Sequence, residues 1–328
     1  MNGAAATNGT NAKEPKLSLT LVTFSAQDPG GWSHMLERAQ LLDRVGVDRL
    51  VVSDHVAFGE DLEAYGRPEL GGTEGGVQPT GPDGHWLEPL TTLAVVAGRT
   101  RRIRLGTNIL IAALRRPAVL AKTAATLDVL SEGRLDLGVG VGWQREEYQA
   151  AGLEFGGRGR LLDETLEVCR ALWTQDRASH EGDTLSFEGI HQMPKPLQPG
   201  GVPIWVSGRI GPRVVERLGR FGHGWIPWGQ DAADPVASAG RMRAALEDAG
   251  YDPTGLEVVG RLPIDGPNGL GVEGAMATVA DQVAAGVTDL RAALRLPPDA
   301  DAAGERLVEV VAAFRSATGR PPAAGTDR

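Results

Sequence analysis

Segments with the character of strands and of helices alternate eight times along this chain, between residues 17 and 316. The strand-like segments are short and apolar, and they occupy residues 17–23, 49–53, 103–109, 134–139, 203–207, 224–227, 256–262 and 288–294. The helix-like segments occupy residues 33–45, 89–99, 117–130, 158–173, 212–221, 235–249, 275–285 and 304–316. An open doubly wound sheet also alternates in this way, but eight repeats in one unbroken run favour closure. The pattern therefore predicts an α/β fold of the (β/α)8 (TIM) barrel type.

Two connections are much longer than the others, and both are predicted to be insertion loops. Residues 55–88 follow the second strand, which places them at the face formed by the carboxyl ends of the barrel strands. Loops of this length are usually lids or binding loops, so we expect this one to close over a substrate. Residues 175–201 precede the fifth strand and contain EGDTLSFEG, which predicts a small hairpin.

The length of 328 residues suits a single barrel domain, which we expect to span residues 17–317. Residues 1–16 are polar, without the apolar centre of a signal peptide, so we expect a disordered leader. Residues 318–328 are similar and are expected to be a flexible tail. These features together predict a cytoplasmic protein.

Composition excludes several classes of function. The net charge of -9 argues against a nucleic-acid partner, because a basic binding face is incompatible with it. No run of 18 apolar residues occurs, so no membrane span is predicted. The single cysteine, Cys169, rules out an internal disulfide framework and a thiolate metal cluster.

Polar residues at the end of the second strand are the first candidates for catalysis. Asp54 and His55 directly follow the predicted strand 49–53, so they should lie in the mouth of the barrel. His55 can take up or release a proton near neutral pH, and Asp54 could orient it or bind a ligand hydroxyl. The alternative is a capping aspartate and a loop histidine bound to the backbone. The spacing to His85 and Glu88 matches no metal-ligand pattern, and we predict no metal site.

The ends of the third and fourth strands could support a flat ring. Asn108 and Ile109 end one strand, and Gly140, Val141 and Gly142 end the next. Alternate glycines remove side chains from one face of a strand, so a planar group could lie against its backbone. The alternative is a crowded barrel interior that needs small residues there.

The end of the fifth strand has the composition of an anion site. Ser207, Gly208, Arg209 and Ile210 precede a helix that opens at Pro212. Free N–H groups at a helix start, a hydroxyl and a guanidinium favour phosphate. Ordinary strand-to-helix turn chemistry is the alternative.

Three tryptophans lie close to the same face. Trp143 and Trp228 follow strand ends, and Trp86 lies near the end of the long loop 55–88. Indole rings in these places could wall an apolar substrate pocket, with His55 as a further wall residue. Packing in the core is the alternative for each of them.

Taken together, these motifs resemble the luciferase-like (LLM) superfamily, and within it the branch that uses the deazaflavin coenzyme F420. The resemblance covers about residues 17–228 and rests on VSDH, LGTNIL, RRPAVLAKTAATLDVLSEGRLDLGVGVGW, PIWVSGRIGP and GHGWIP. It implies a barrel that holds F420 at its carboxyl face. Asp54 and His55 would then lie beside the ring, and a non-proline cis peptide at Asn108–Ile109 would back it. The segment from Gly140 to Gly142 would also contact the ring, and the turn from Ser207 to Ile210 would hold the cofactor phosphate.

One position departs from the pattern of the sugar-phosphate dehydrogenases in that branch. Those enzymes carry a proton-transferring glutamate after the glycines of the fourth strand, where this chain has Trp143. The departure makes phosphosugar chemistry an unfavourable assignment and favours a small, hydrophobic organic substrate.

The resemblance implies an F420-dependent oxidoreductase that transfers a hydride between the deazaflavin and an alcohol, a ketone or an activated alkene. A two-component monooxygenase that uses reduced FMN, and therefore a flavin reductase as partner, is a second hypothesis. A non-catalytic flavin-binding relative is a third. Retention of Asp54 and His55 counts against the third. The resemblance also admits a homodimer.

Overall fold

The computed structural model describes residues 13–266 and 268–323, which form a closed barrel of eight parallel strands surrounded by helices. The strands are β1 (Lys16–Thr20), β2 (Phe24–Ser25), β3 (Arg49–Val52), β4 (His85–Trp86), β5 (Arg104–Thr107), β6 (Leu135–Val139), β7 (Ala178–Glu181), β8 (Ser186–Ile190), β9 (Ile204–Gly208), β10 (Gly222–Pro227), β11 (Glu257–Arg261) and β12 (Asp289–Ala292). The barrel closes in the order β1-β12-β11-β10-β9-β6-β5-β3. Each of the eight predicted strand segments overlaps one barrel strand, so the predicted TIM barrel is confirmed.

Most of the helices begin and end close to the positions that local sequence signals predict. They are α1 (Ser33–Val45), α2 (Pro89–Ala97), α3 (Pro117–Leu130), α4 (Arg145–Ala150), α5 (Arg158–Thr174), α6 (Pro212–Phe221), α7 (Gln230–Ala233), α8 (Pro235–Asp248), α9 (Gly271–Ala277), α10 (Val279–Ala284) and α11 (Ala300–Ala317). Proline occupies the first turn of α2, α3 and α6, where its missing N–H is not needed. The carboxylate of Glu88 accepts the N–H of Thr91 at 2.7 Å and so caps α2. The helix expected at 275–285 is two short helices, α9 and α10, and α4 and α7 were not predicted.

Short strands outside the barrel organise both insertion loops. The predicted hairpin in residues 175–201 is formed by β7 and β8, which pair antiparallel. In the other loop, β4 pairs with β2, which follows the first barrel strand, and this pairing sets Phe24 opposite Trp86. The two rings stack with centroids 4.3 Å apart. The β2–β4 pair therefore fixes where the end of the long loop returns to the barrel.

The chain ends make defined contacts within the described residues. Strand β1 starts at Lys16, the last residue of the expected leader, and residues 1–12 lie outside the described part of the chain. Arg320, in the expected tail, donates to Asp48 at 2.6 and 2.8 Å and to the carbonyl of Pro15 at 2.9 Å. Residues 324–328 of that tail lie outside the described part as well.

A network of charged side chains lies buried inside the barrel. Arg49 donates to Asp136 at 2.8 Å and contacts Asp289. Arg104 donates to Asp136 at 2.7 Å, and Arg291 donates to Asp289 at 2.8 Å. Burial alone would raise the pKa of Asp136, but the guanidinium groups of Arg49 and Arg104 hold it below its ordinary value. The network thus pairs charges of opposite sign across strands β3, β5, β6 and β12, and only Arg104, whose side chain is 34% exposed, reaches its edge.

Among the helices of the described ranges, none combines the length and apolarity that a membrane span requires.

Candidate active site

One cavity of about 970 Å³ opens at the carboxyl ends of the barrel strands. Its volume suits a tricyclic cofactor head group together with a small substrate, because ligand pockets commonly enclose ~300–1,000 Å³. The site residues predicted from the sequence all line it, namely Asp54, His55, Trp86, Asn108, Ile109, Gly140, Val141, Gly142, Trp143, Ser207, Gly208, Arg209, Ile210 and Trp228. The structure therefore brings the separate sequence motifs together at one site, while the role of each residue stays a proposal.

His55 lies against a buried glutamate that the sequence did not suggest. The Nδ1 atom of His55 is 3.2 Å from Oε1 of Glu147, although the angle is not that of a hydrogen bond. The same carboxylate oxygen accepts the N–H of Val56 at 2.8 Å. The Glu147 side chain is fully buried. Because Nδ1 faces Glu147, Nε2 is the ring nitrogen left for the cavity.

Asp54 does not orient His55, which corrects one of the two roles considered for it. Its carboxylate is taken up by Arg115, whose Nη2 donates to Oδ1 at 2.9 Å and whose Nη1 contacts Oδ2. Oδ2 also accepts the N–H of Ile111 at 2.7 Å. Burial raises the pKa of Asp54 against the opposing effect of Arg115, and the carboxylate in turn raises the pKa of Arg115. Asp54 therefore ties the chain after β3 to the chain after β5.

The end of β5 forms the floor of the cavity. The bond between Asn108 and Ile109 is a non-proline cis peptide, which confirms that prediction. The carbonyl of Val52 accepts the backbone N–H of Asn108 at 2.7 Å, and Arg291 donates to its side-chain oxygen at 2.9 Å. The floor is thus held from β3 on one side and from β12 on the other.

The glycines in and after β6 pack closely against β5 and the residues that follow it. A Cβ atom on Gly140 would approach the side chain of Ile109 to 2.8 Å, and one on Gly138 would meet the carbonyl of Thr107 at 2.0 Å. Gly142 has φ +65, which favours glycine, and its Cβ would press on Ile111. Close packing against β5 and the residues that follow it therefore requires glycine here, which was the alternative to room for a flat ring.

The turn after β9 has cations around it and is contacted by one carboxylate, that of Asp231 in α7. Ser207, Gly208 and Arg209 face the cavity, as expected for an anion site. The N–H of Ile210, however, donates to the carboxylate of Asp231 at 2.8 Å, so it is not free to bind a phosphate. Arg241 pairs with Asp231 at 2.8 Å and partly offsets its charge. The expectation for Ile210 is corrected in this respect, whereas the start of α6 remains adjacent to the cavity.

Aromatic side chains wall the remaining part of the cavity. The ring of His55 lies 4.8 Å from that of Trp86 and 5.9 Å from that of Trp143, measured between centroids. Tyr65 lies 5.3 Å from Trp143 and 6.2 Å from Trp228. Burial raises the pKa of the Tyr65 phenol, which stays a neutral hydrogen-bond donor. The surroundings of His55 are therefore largely apolar.

The long loop 55–88 lies over this cavity, as its length led us to expect. Tyr65 and Gly71 of the loop are among the lining residues. The indole N–H of Trp228 donates to the carbonyls of Gly71 and Gly72 at 3.0 and 3.1 Å, and Arg158 donates to the carbonyl of Leu70 at 2.9 Å. These few side-chain contacts connect the loop to the rim of the barrel.

Trp228→Phe should loosen the loop, because it removes the shared indole N–H donor together with the pyrrole part of the ring, while one aromatic ring stays in the wall. One such bond contributes about 1 kcal/mol, so amide exchange in residues 62–76 should become about fivefold faster. Hydrogen–deuterium exchange followed by mass spectrometry measures this. Trp32→Phe, at the start of α1, is the matched control and should leave exchange in the loop unchanged. Equal exchange in wild type and Trp228→Phe would contradict an anchoring role for the indole.

The sequence of this chain matches a known protein family. A sequence profile of luciferase-like monooxygenases matches residues 17–264, well over half of the chain. The chain belongs to the luciferase-like monooxygenase family. The match spans β1 to β11 and so includes all the strand ends that form the cavity.

Two curated proteins are similar to this chain in sequence. An F420-dependent glucose-6-phosphate dehydrogenase of Nocardia farcinica is 35% identical over 204 residues, 60% of this chain and 53% of that protein. A phthiodiolone/phenolphthiodiolone dimycocerosates ketoreductase of Mycobacterium kansasii is 33% identical over 215 residues, 64% of this chain and 57% of that protein. The chain thus spans a little over half of the length of these curated relatives.

A solved structure shares the fold along nearly the whole chain. An F420-dependent secondary alcohol dehydrogenase in complex with an F420–acetone adduct superimposes with a TM-score of 0.69. The superposition covers 92% of this chain and 99% of that chain at 18% identity. The likeness shows that the two chains share one barrel fold.

Proposed function

We propose that this protein is an F420-dependent oxidoreductase that transfers a hydride between the deazaflavin and a neutral, mainly apolar organic substrate, with alcohols, ketones and activated alkenes as the candidate classes. The observation that carries the proposal is the cavity, which brings the turn after β9, the segment at Asn108–Ile109 and several aromatic side chains together around His55. The names of the two curated relatives support both the coenzyme and the class of reaction. A cytoplasmic location and a homodimer remain part of this proposal.

The residues fit a flavin-like group of this kind. The floor at Asn108–Ile109 and Gly140–Gly142 lines one part of the cavity, and the turn at Ser207–Arg209 lies just before the start of α6. A helix start favours a phosphate through its free N–H groups and its dipole. These residues would hold the ring at one end and its phosphate-bearing side chain at the other. When bound, the deazaflavin would supply or accept a hydride as a two-electron carrier.

His55 would hold the proton that accompanies this reaction. In alcohol oxidation the hydroxyl O–H bond breaks and its proton passes to Nε2 of His55, while the carbon gives up its hydride and becomes a carbonyl. In carbonyl reduction the same nitrogen returns the proton to the oxygen. The Glu147 carboxylate, 3.2 Å from Nδ1, stabilises the imidazolium while it carries the proton. The aromatic walls exclude water from this exchange.

Trp143 directs the choice of substrate away from sugar phosphates. It occupies the place where the sugar-phosphate dehydrogenases carry a glutamate, and its side chain is buried between Tyr65 and His55. An indole there offers apolar contact and removes a carboxylate from the substrate chamber. Glucose 6-phosphate should therefore be a poor substrate, in spite of the relative that uses it.

The proposal is tested by separate titrations of the purified chain with F420 and with FMN, followed by quenching of cofactor fluorescence. We expect saturable binding of F420, and then reduction of F420 by neutral secondary alcohols such as cyclohexanol and 1-phenylethanol, but not by glucose 6-phosphate. Tight binding of FMN without binding of F420 would overturn the proposal. Oxygen consumption with FMN and a flavin reductase would then favour the monooxygenase alternative.

A further inference from the structure

The side-chain amide of Asn108 is held in one orientation. Nη1 of Arg291 donates to Oδ1 of Asn108 at 2.9 Å. A guanidinium has five N–H donors and no acceptor, so the amide must turn its oxygen to Arg291 and its NH2 group away from it. Asn108 lines the cavity, and no acceptor for its Nδ2 group occurs among the described residues. The floor therefore presents a hydrogen-bond donor to whatever lies on it.

Arg291 is itself held in place by the buried carboxylate of Asp289. Its Nε donates to Asp289 at 2.8 Å, and the other oxygen of Asp289 accepts the hydroxyl of Ser18 at 2.8 Å and contacts Arg49. Only 9% of the Arg291 side chain is exposed. Burial and the charge of Arg49 lower the pKa of Arg291 to about 9, so it is still a cation at neutral pH. The buried network thus ends at Arg291, which can only donate to Asn108 and never accept from it.

We propose that the NH2 group of Asn108 donates to a carbonyl oxygen on the pyrimidine end of the bound ring, and that Arg291 is the positioning residue that fixes this polarity. The inference rests on the proposed function, because the ring is the ligand. Deazaflavin and flavin rings share the pyrimidine carbonyls, so the inference applies to F420 and to FMN alike. It also gives the buried network of Arg49, Asp289 and Arg291 a role at the ligand site, namely to hold the side chain of Asn108 in one orientation.

Asn108→Asp tests the polarity with almost no change in shape. The introduced carboxylate would keep one oxygen toward Arg291 but turn its second oxygen toward the ring carbonyl. We expect the Kd for F420, or for FMN if that is the ring bound, to rise about 10-fold to 100-fold, and Asn108→Ala to raise it less. Fluorescence titration gives both constants, and the absorption spectrum of the bound ring reports the lost hydrogen bond. Asn268→Asp makes the same change at an exposed position and should leave binding unaltered.

Arg291 variants separate positioning from general stability. The lysine of Arg291→Lys can still only donate, so this variant should bind the ring nearly as wild type does. Arg291→Met should bind it more weakly. If Arg291→Met fails to fold, the Asn108 variants decide the case. A Kd for Asn108→Asp equal to that of wild type would overturn the inference and leave the proposed function intact. Binding of FMN alone, weakened in Asn108→Asp, would support the inference and overturn the proposed function. Binding of neither ring would overturn both.

Discussion

Replacing His55 with glutamine should lower the rate of hydride transfer about 10²-fold to 10⁴-fold, the usual contribution of a positioned general acid or base. Glutamine has a similar reach and can still hydrogen-bond a substrate oxygen, but it cannot accept the proton at neutral pH. Apart from Glu147, the groups nearest this residue are aromatic, with the ring of Phe58 4.3 Å and that of Trp86 4.8 Å from the imidazole between centroids. Water is therefore a poor substitute for the missing base.

Single-turnover reduction of F420 by cyclohexanol, followed by stopped-flow absorbance, measures the effect. Fluorescence titration with F420 should give a Kd close to that of wild type, because the variant retains the floor and the turn after β9. His34→Gln, on the exposed surface of α1, is the matched control and should be fully active. A rate for His55→Gln within a factor of about ten of wild type would assign the proton to another group, and Tyr65, whose phenol faces the same cavity, would then be the next residue to replace.

The barrel and its strand ends could be predicted because their signals are local. Proline at the start of a helix and glycine at its end mark boundaries within a few residues, and apolar runs of 4–8 residues mark buried strands. Polar residues that directly follow such runs must collect at one face of a parallel barrel. That rule alone brought Asp54, Asn108 and Ser207 into one predicted site, and the cavity contains all three.

The partners of these residues could not be predicted, because they come from distant parts of the chain. Asp54 and Arg115 are 61 positions apart, and Asn108 and Arg291 are 183 apart. Glu147 stands in the sequence REEY, which is also typical of an exposed helix turn, and only the fold buries it. A charged residue inside a barrel strand has no signal that distinguishes it from one that faces solvent. Periodicity places elements, whereas pairing inside the barrel depends on which strands become neighbours.

The second large effect concerns the ion pair between Asp54 and Arg115. Asp54→Ala should lower the free energy of unfolding by about 3–5 kcal/mol, because removal of one partner leaves the other charge buried without compensation. The Asp54 side chain is fully buried and 16% of the Arg115 side chain is exposed. Besides the pair, Arg115 retains an interaction with Glu88 at 3.1 Å, whose side chain is 44% exposed and so compensates weakly. Equilibrium unfolding in urea measures the change.

Two further variants show whether the loss of stability comes from the unpaired guanidinium of Arg115. Asp54→Ala combined with Arg115→Met should be more stable than Asp54→Ala alone, since no unpaired guanidinium remains. Glu216→Ala breaks the exposed pair with Arg220 and should change stability by no more than about 0.5 kcal/mol. Asp54 also accepts the N–H of Ile111, two residues beyond the cis peptide, so its loss frees the segment that floors the cavity. Folded Asp54→Ala should consequently bind F420 more weakly than wild type. A loss of less than about 1 kcal/mol in the free energy of unfolding, with unchanged F420 binding, would show that the pair neither supports the fold nor holds the floor.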